Sequence, residues 1–146
     1  MKSLFTKVLI VVAFAIPSML SAGQLKGLNV VVTSADAQTQ MMAMVLSTMA
    51  VKKHKKQVNI TLCGPAGDLA DKNVKSTPVK KPDGKAPTPK KLMMGLIKAG
   101  ANVQICPLYL PNAGKDKSVL VEGITVAKPP VVAKMLLDSD FNNLSF

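Results

Sequence analysis

The only two cysteines of this 146-residue sequence follow two segments of the same shape. Cys63 comes after residues 59–62 and Cys106 after residues 102–105, and both segments alternate apolar and polar side chains. Such alternation is typical of β-strands. In an α/β fold the carboxyl ends of parallel strands form the edge where ligands bind. Two thiols at that edge predict a small site whose chemistry depends on sulfur.

Cys106 is the stronger candidate nucleophile of the two. A thiol reacts as its thiolate, which positive charge and a helix amino terminus stabilise. Lys115 and Lys117 follow Cys106 at the start of a predicted short helix and are candidates to supply that charge. The alternative stays open, since a free cysteine is often an inert, buried apolar residue.

Cys63 has three open roles at this stage: a resolving thiol, a packing residue, or the partner of Cys106 in a disulfide. A disulfide requires Cα atoms within about 7 Å. Two strand-end thiols are also suitable ligands for a soft metal, although no metal site and no cofactor are predicted. The candidate pocket around the thiols comprises Tyr109, Asn112 and the turn glycines Gly64 and Gly67.

The segments that must position these residues alternate between strands and helices. Short β-branched runs predict strands, and apolar residues at helical spacing predict helices between them. This order favours a three-layer α/β/α domain, residues 27–146, with a mainly parallel sheet of about five strands. The predicted strands are 27–33, 58–62, 102–105, 124–126 and 144–146, and the predicted helices are 37–53, 89–98, 116–120 and 131–137.

Two further segments carry a distinctive composition. Residues 72–91 contain seven lysines and four prolines, which predicts a basic, proline-rich mobile loop. The helix at residues 37–53 carries several methionines in one apolar stripe. Methionines at this spacing usually fill gaps in a core, although thioethers are also ligands for Cu(I).

The first 22 residues have the layout of a secretory signal peptide. Lys2 and Lys7 give a positive start, residues 8–16 form an uninterrupted apolar run that Pro17 breaks, and Ser21, Ala22 and Gly23 offer small residues for cleavage. The run is too short for a mature membrane-spanning helix. We therefore predict an exported product, periplasmic or secreted, with no transmembrane segment in the mature chain. An uncleaved amino-terminal anchor is the alternative.

The sequence is strongly basic, with a formal net charge of +11, yet it contains no arginine. Specific recognition of bases and phosphates usually uses the planar arginine side chain. Aromatic residues are only 3% of the sequence, too few for a base-stacking platform. These features argue against specific nucleic-acid binding and favour a solvated basic surface that attracts anionic membranes or an acidic partner.

Taken in order, these segments resemble the DsrE/DsrF-like family over roughly residues 27–146. The resemblance rests on Leu28-Asn-Val-Val-Val-Thr-Ser, Leu62-Cys-Gly-Pro-Ala-Gly-Asp-Leu and Gly100-Ala-Asn-Val-Gln-Ile-Cys-Pro. The stretch Tyr109-Leu-Pro-Asn-Ala-Gly is similar to an exported branch of that family.

The resemblance implies a three-layer fold, homo-oligomers such as trimers or hexamers, and a sulfur donor or acceptor protein as partner. In the sulfur-relay members a cysteine after a strand carries sulfur as a persulfide, and Cys106 matches that position. Cys63 matches no relay cysteine. Whether the chain is an enzyme stays open, and the class favoured is sulfurtransferase-like. The alternative is a non-catalytic module that binds a small ligand, a soft metal or an acidic partner.

Overall fold

The computed structural model describes residues 25–146, so the predicted signal peptide at residues 1–22 lies outside the described residues. The described part forms a five-stranded parallel sheet in the order β4-β3-β2-β1-β5, with helices on both faces. The three-layer α/β/α prediction is therefore confirmed. The strands are β1 Gly27–Val32, β2 Gln57–Leu62, β3 Asn102–Ile105, β4 Ile124–Val126 and β5 Phe141–Ser145; the helices are α1 Ala37–Lys52, α2 Pro89–Lys98, α3 Tyr109–Asn112 and α4 Pro129–Leu136.

Local signals set the ends of the two longest helices. The Asp36 side chain accepts a hydrogen bond from the Thr39 N–H at 2.8 Å and so caps α1. Thr88 caps α2 in the same way, and proline follows it at the first helical position. Two predicted elements differ most from the structure. Residues 117–119 form only a 3-10 turn instead of a helix over 116–120, and the last strand begins at Phe141 rather than at residue 144.

One face of the sheet is apolar and carries the core. Alternate residues of the inner strands, such as Val30, Ile60 and Ile105, point to the side where α1 and α2 lie, with buried Met44 and Met93 between the layers. The methionine stripe of α1 is only partly buried. Met41 and Met44 are in the core, whereas Met42, Leu46 and Met49 remain exposed because the sheet covers one side of the helix only.

The opposite face is polar and is crossed by a ladder of four asparagines. Asn143, Asn29, Asn59 and Asn102 lie side by side on β5, β1, β2 and β3. Their amides are hydrogen-bonded in sequence across the strands, at 3.0, 2.9 and 3.4 Å. The backbone carbonyls of Met135 and Leu136 on α4 accept further bonds from this ladder, which places α4 on this face.

Asn29 is the centre of the ladder and is only 3% exposed. It donates to Asn143 and to the Met135 carbonyl, and it accepts from Asn59. We expect Asn29→Ala to lower the free energy of unfolding by about 1–3 kcal/mol, because three hydrogen bonds centred on a buried side chain are lost. Urea titration measures this change. The exposed Asn142 is the matched control, and Asn142→Ala should change stability by less than about 0.5 kcal/mol.

The basic segment begins after the 3-10 turn Gly64–Leu69 and reaches α2. Its middle folds back on itself, since the Val79 N–H donates to the Pro87 carbonyl at 2.9 Å and the Lys81 N–H to the Lys85 carbonyl at 2.8 Å. The predicted range 72–91 therefore includes the first three residues of α2. No helix within residues 25–146 is both long enough and apolar enough to cross a membrane.

Candidate functional site

The two cysteines occupy equivalent positions on neighbouring strands. Leu62 of β2 pairs with Ile105 of β3. Cys63 is the residue directly after Leu62, and Cys106 is the residue directly after Ile105. The Cys63 N–H donates to the Val32 carbonyl at 2.9 Å, and the Cys106 N–H to the Leu62 carbonyl at 2.8 Å. Neighbouring strands are about 4.8 Å apart, and disulfides join Cα atoms about 4.4–6.8 Å apart. The backbone spacing of the pair is therefore that of a disulfide.

Side-chain alternation places both cysteines on the polar face of the sheet. Leu62 and Ile105 face the helical core, so the residues after them face the other way. The column below the thiols continues with buried Thr61 and Gln104, whose side chains are hydrogen-bonded at 3.0 Å. The two thiols thus lie next to the Thr61 and Gln104 side chains on the polar face, at the carboxyl edge of the sheet.

Both cysteines are free thiols and are partly exposed. Burial raises the pKa of the Cys63 thiol to about 11, and the neighbouring Cys106 side chain adds to the shift by hydrogen bonding and by charge. Cys63 therefore stays protonated near neutral pH. A protonated Cys63 is a hydrogen-bond donor for the sulfur of Cys106.

The thiols open into a pocket of about 480 Å³ at this edge. Leu108, which is 67% exposed, is part of the wall. A larger groove of about 760 Å³ lies between α1 and the basic segment, but neither cysteine lines it. The thiol pocket combines a cavity with a reactive group and is therefore the candidate site. Its lining residues are Cys63, Gly64, Cys106, Leu108, Tyr109, Asn112 and Ala113.

Tyr109 is the aromatic wall of the pocket and is held from three sides. Its ring lies against Gly67, where an added Cβ would come within 2.1 Å of the ring. Its hydroxyl donates to Asp68 Oδ1 at 2.7 Å. Lys115 Nζ lies 3.4 Å from the hydroxyl and 5.6 Å from the ring centroid. Burial and the bond to Asp68 raise the pKa of Tyr109, and Lys115 offsets part of that rise.

A partly buried ion pair, Asp71 with Lys115, lies behind Tyr109. Asp71 is 1% exposed, and its Oδ2 is 2.7 Å from Lys115 Nζ. Burial alone would raise the pKa of Asp71, but the bonds from Lys115 and from the Asn73 N–H outweigh it, and the pKa is lowered. Lys90 donates to the carbonyls of Asp71 and Val74. The pair ties the loop after β3 to the segment after β2.

The predicted site residues separate into two groups in the structure. Cys63, Cys106, Gly64, Tyr109 and Asn112 line one pocket, with Gly67 directly behind Tyr109. The two predicted thiolate-stabilising lysines lie elsewhere: Lys115 contacts Asp71 and Tyr109, and Lys117 is exposed on the 3-10 turn.

Three residues of this region are not among the predicted site residues. Asp71 is buried and Asp68 holds Tyr109, although both resemble ordinary surface aspartates at a turn. Leu108 gave no signal beyond its place in an apolar loop. Among residues 25–146, no three His, Cys, Asp or Glu side chains come together as metal ligands.

Comparison with solved structures gives matches to the sheet and its helices. The crystal structure of the ychN protein from E. coli matches with a TM-score of 0.65 at 15% identity, covering 82% of this chain and 99% of that one. The fold is DsrE-like. The protein of unknown function MTH1491 from Methanobacterium thermoautotrophicum matches with a TM-score of 0.58 at 10% identity, over 82% and 97%. No family model and no curated protein matches the sequence.

Proposed function

We propose that this chain is a sulfur carrier in which Cys106 accepts sulfane sulfur as a persulfide. One observation supports this most directly: the Cys106 thiol opens into a pocket at the carboxyl edge of the sheet, beside a second thiol. The DsrE-like fold is compatible with a sulfur-relay family. The reaction class is sulfurtransferase-like.

The loading step needs a donor with a labile sulfur–sulfur bond, such as thiosulfate. The Cys106 thiolate attacks the outer sulfur of thiosulfate and forms a new sulfur–sulfur bond. The old bond breaks with its electron pair, and sulfite leaves. Cys63, protonated near neutral pH, donates its S–H toward the Cys106 sulfur and so stabilises the negative charge there. A nucleophile on an acceptor protein then takes the outer sulfur from Cys106.

Intact mass after exposure to inorganic polysulfide tests this assignment. We expect Cys63→Ser, which keeps Cys106, to gain about 32 Da at pH 7. Cys106→Ser should load at least about tenfold more slowly, because burial, the largest cause of the raised pKa of Cys63, remains in that variant and keeps the thiol protonated at pH 7. Equal loading of the two variants, or no loading of Cys63→Ser, contradicts the proposal.

The proposed setting is outside the cytoplasm, after removal of residues 1–22, and in a homo-oligomer such as a trimer or hexamer. The amino-terminal pattern supports export. Exposed Val131 and Leu137, at α4 and its carboxyl end, supply apolar surface, which supports self-association. The amino-terminal sequence of the native protein and its mass by light scattering test the two points.

A second candidate function is the binding of a soft metal ion such as Cu(I) by the two thiols. The observation that favours it is the adjacency of Cys63 and Cys106, since thiolates are preferred ligands of Cu(I). Titration with Cu(I) distinguishes the candidates. A metal-binding module should bind one ion per chain, lose that binding in either cysteine variant and gain no sulfur from polysulfide.

A further inference from the structure

We infer that Cys63 is the resolving thiol of this site: it attacks a Cys106 persulfide, releases the carried sulfur as sulfide and leaves an intramolecular disulfide. This inference rests on the proposed function, because it concerns the fate of the sulfur that Cys106 carries. It adds a second activity, the reductive release of sulfide.

The geometry that supports the inference is the pairing of the two strand ends. Cys63 and Cys106 come directly after a paired position of β2 and β3, so their Cα atoms have the spacing of neighbouring strands. Both side chains are on the same face of the sheet and line the same pocket. No change in strand pairing is therefore needed to join the two sulfurs.

The surroundings of the pair hold this arrangement in place. Backbone hydrogen bonds fix both cysteines to the next strand, Cys63 to Val32 and Cys106 to Leu62. Directly below them, Gln104 is hydrogen-bonded to Thr61 across the same two strands. A thiol held this close to a persulfide competes well with any external thiol, because its effective concentration is high.

The step balances in atoms and electrons. The Cys63 sulfur forms a bond to the Cys106 sulfur, and the bond between Cys106 and the outer sulfur breaks. The electron pair of that bond leaves with the outer sulfur, which takes the proton of Cys63 and departs as HS⁻. Cys63 is oxidised and the outer sulfur is reduced. An external thiol or dithiol then reduces the disulfide by exchange and regenerates the site.

The environment of Cys63 makes this discharge slow near neutral pH. Only the thiolate attacks a sulfur–sulfur bond, and burial together with Cys106 holds the pKa of Cys63 at about 11. Because the proton of Cys63 passes to the outer sulfur as the bond breaks, the step involves no net loss of a proton, and its slowness near neutral pH comes from the small thiolate fraction of Cys63.

The test follows sulfide and intact mass after a single loading with inorganic polysulfide. The reduced wild-type protein without residues 1–22 should release about one sulfide per chain. Its final mass should be about 2 Da below that of the form with two free thiols, because a disulfide has formed. Cys63→Ser should keep its gain of about 32 Da at least about tenfold longer. Cys63→Ala is the second variant, and circular dichroism confirms that each variant is folded.

The outcomes separate this inference from the function on which it rests. If neither Cys63 variant gains sulfur, both the carrier function and this inference are overturned. If both variants gain sulfur but the wild type keeps its persulfide equally long and forms no disulfide, only the inference is overturned. A mild oxidant such as diamide gives an independent check: the wild type should form the disulfide at a rate that does not depend on protein concentration, and failure to form it also overturns the inference.

Discussion

Replacing Lys115 with methionine should lower the melting temperature at pH 7 by about 5–10 °C and reduce the loss of stability on acidification below about pH 4. Methionine keeps most of the apolar stem of lysine but removes its charge. Asp71, which is 1% exposed, then loses the ammonium group 2.7 Å away. A buried carboxylate without its partner is strongly unfavourable.

The altered pH dependence follows from the pKa of Asp71. In the wild type this pKa is lowered, mainly because the Lys115 bond opposes the effect of burial. The stability from a lowered carboxyl pKa is present above the unfolded value, about 4, and is lost as pH falls through the folded value. Without Lys115 the pKa of Asp71 rises, because burial is then opposed only by the Asn73 N–H and the charge of Lys90. The difference in stability between the wild type and the variant should therefore shrink as pH falls through about 4.

Lys117→Met is the matched control for this experiment. Lys117 is two residues away and exposed on the 3-10 turn. Its replacement removes the same charge from the same segment and should leave both the melting temperature and its pH dependence nearly unchanged. Thermal scans at several pH values measure both variants. A Lys115→Met protein that keeps the wild-type pH profile would contradict the role assigned to the ion pair.

Gly67→Ala should destabilise the protein by about 1–3 kcal/mol and open the thiol pocket. The added Cβ would meet Tyr109 Cδ2 at 2.1 Å, far inside van der Waals contact. The ring must move, and its hydroxyl then leaves Asp68. Because Tyr109 lines the pocket, alkylation of the two cysteines should become faster. Urea unfolding and the rate of reaction with iodoacetamide measure the two effects.

Gly95→Ala is the matched control for Gly67→Ala, because the same methyl group is added at a position where it contacts no other residue. No heavy atom lies within 4 Å of a Cβ at this position of α2, and alanine favours the helix. We expect this variant to be more stable by about 0.5–1 kcal/mol. In a Tyr109→Ala background, Gly67→Ala should cost little, because the clash is gone. If Gly67→Ala lowers the free energy of unfolding of the Tyr109→Ala protein as much as that of the wild type, the clash with Tyr109 is not the cause of the destabilisation.

Local signals in the sequence account for most of the fold. β1 to β4 are short runs that contain β-branched residues, and the caps at Asp36 and Thr88 set the starts of α1 and α2. The exposed part of the α1 stripe was not predictable in this way. Helical periodicity identifies an apolar face, but it does not say how much of that face a neighbouring layer covers.

The site was predictable only in part. The place of each thiol at a strand end follows from the alternation before Cys63 and Cys106. Their contact does not, because it depends on β2 and β3 being neighbours in the sheet. The burial of Asp71 depends on a chain segment 49 residues away, where Leu120 forms a bridge with it. No pattern near Asp71 reports that contact.

The asparagine ladder has a consequence for pairing errors between β2 and β3. If β3 slipped by two residues, its apolar side chains would still face the helices, and Val103 and Ile105 would still meet aliphatic residues of β2. Cys106 would then lie beside Thr61 and not beside Cys63. That error would also separate Asn102 from Asn59, the amides that join the two strands in the ladder. The strand register that brings the two sulfurs together is therefore favoured by amides at the other end of the strands.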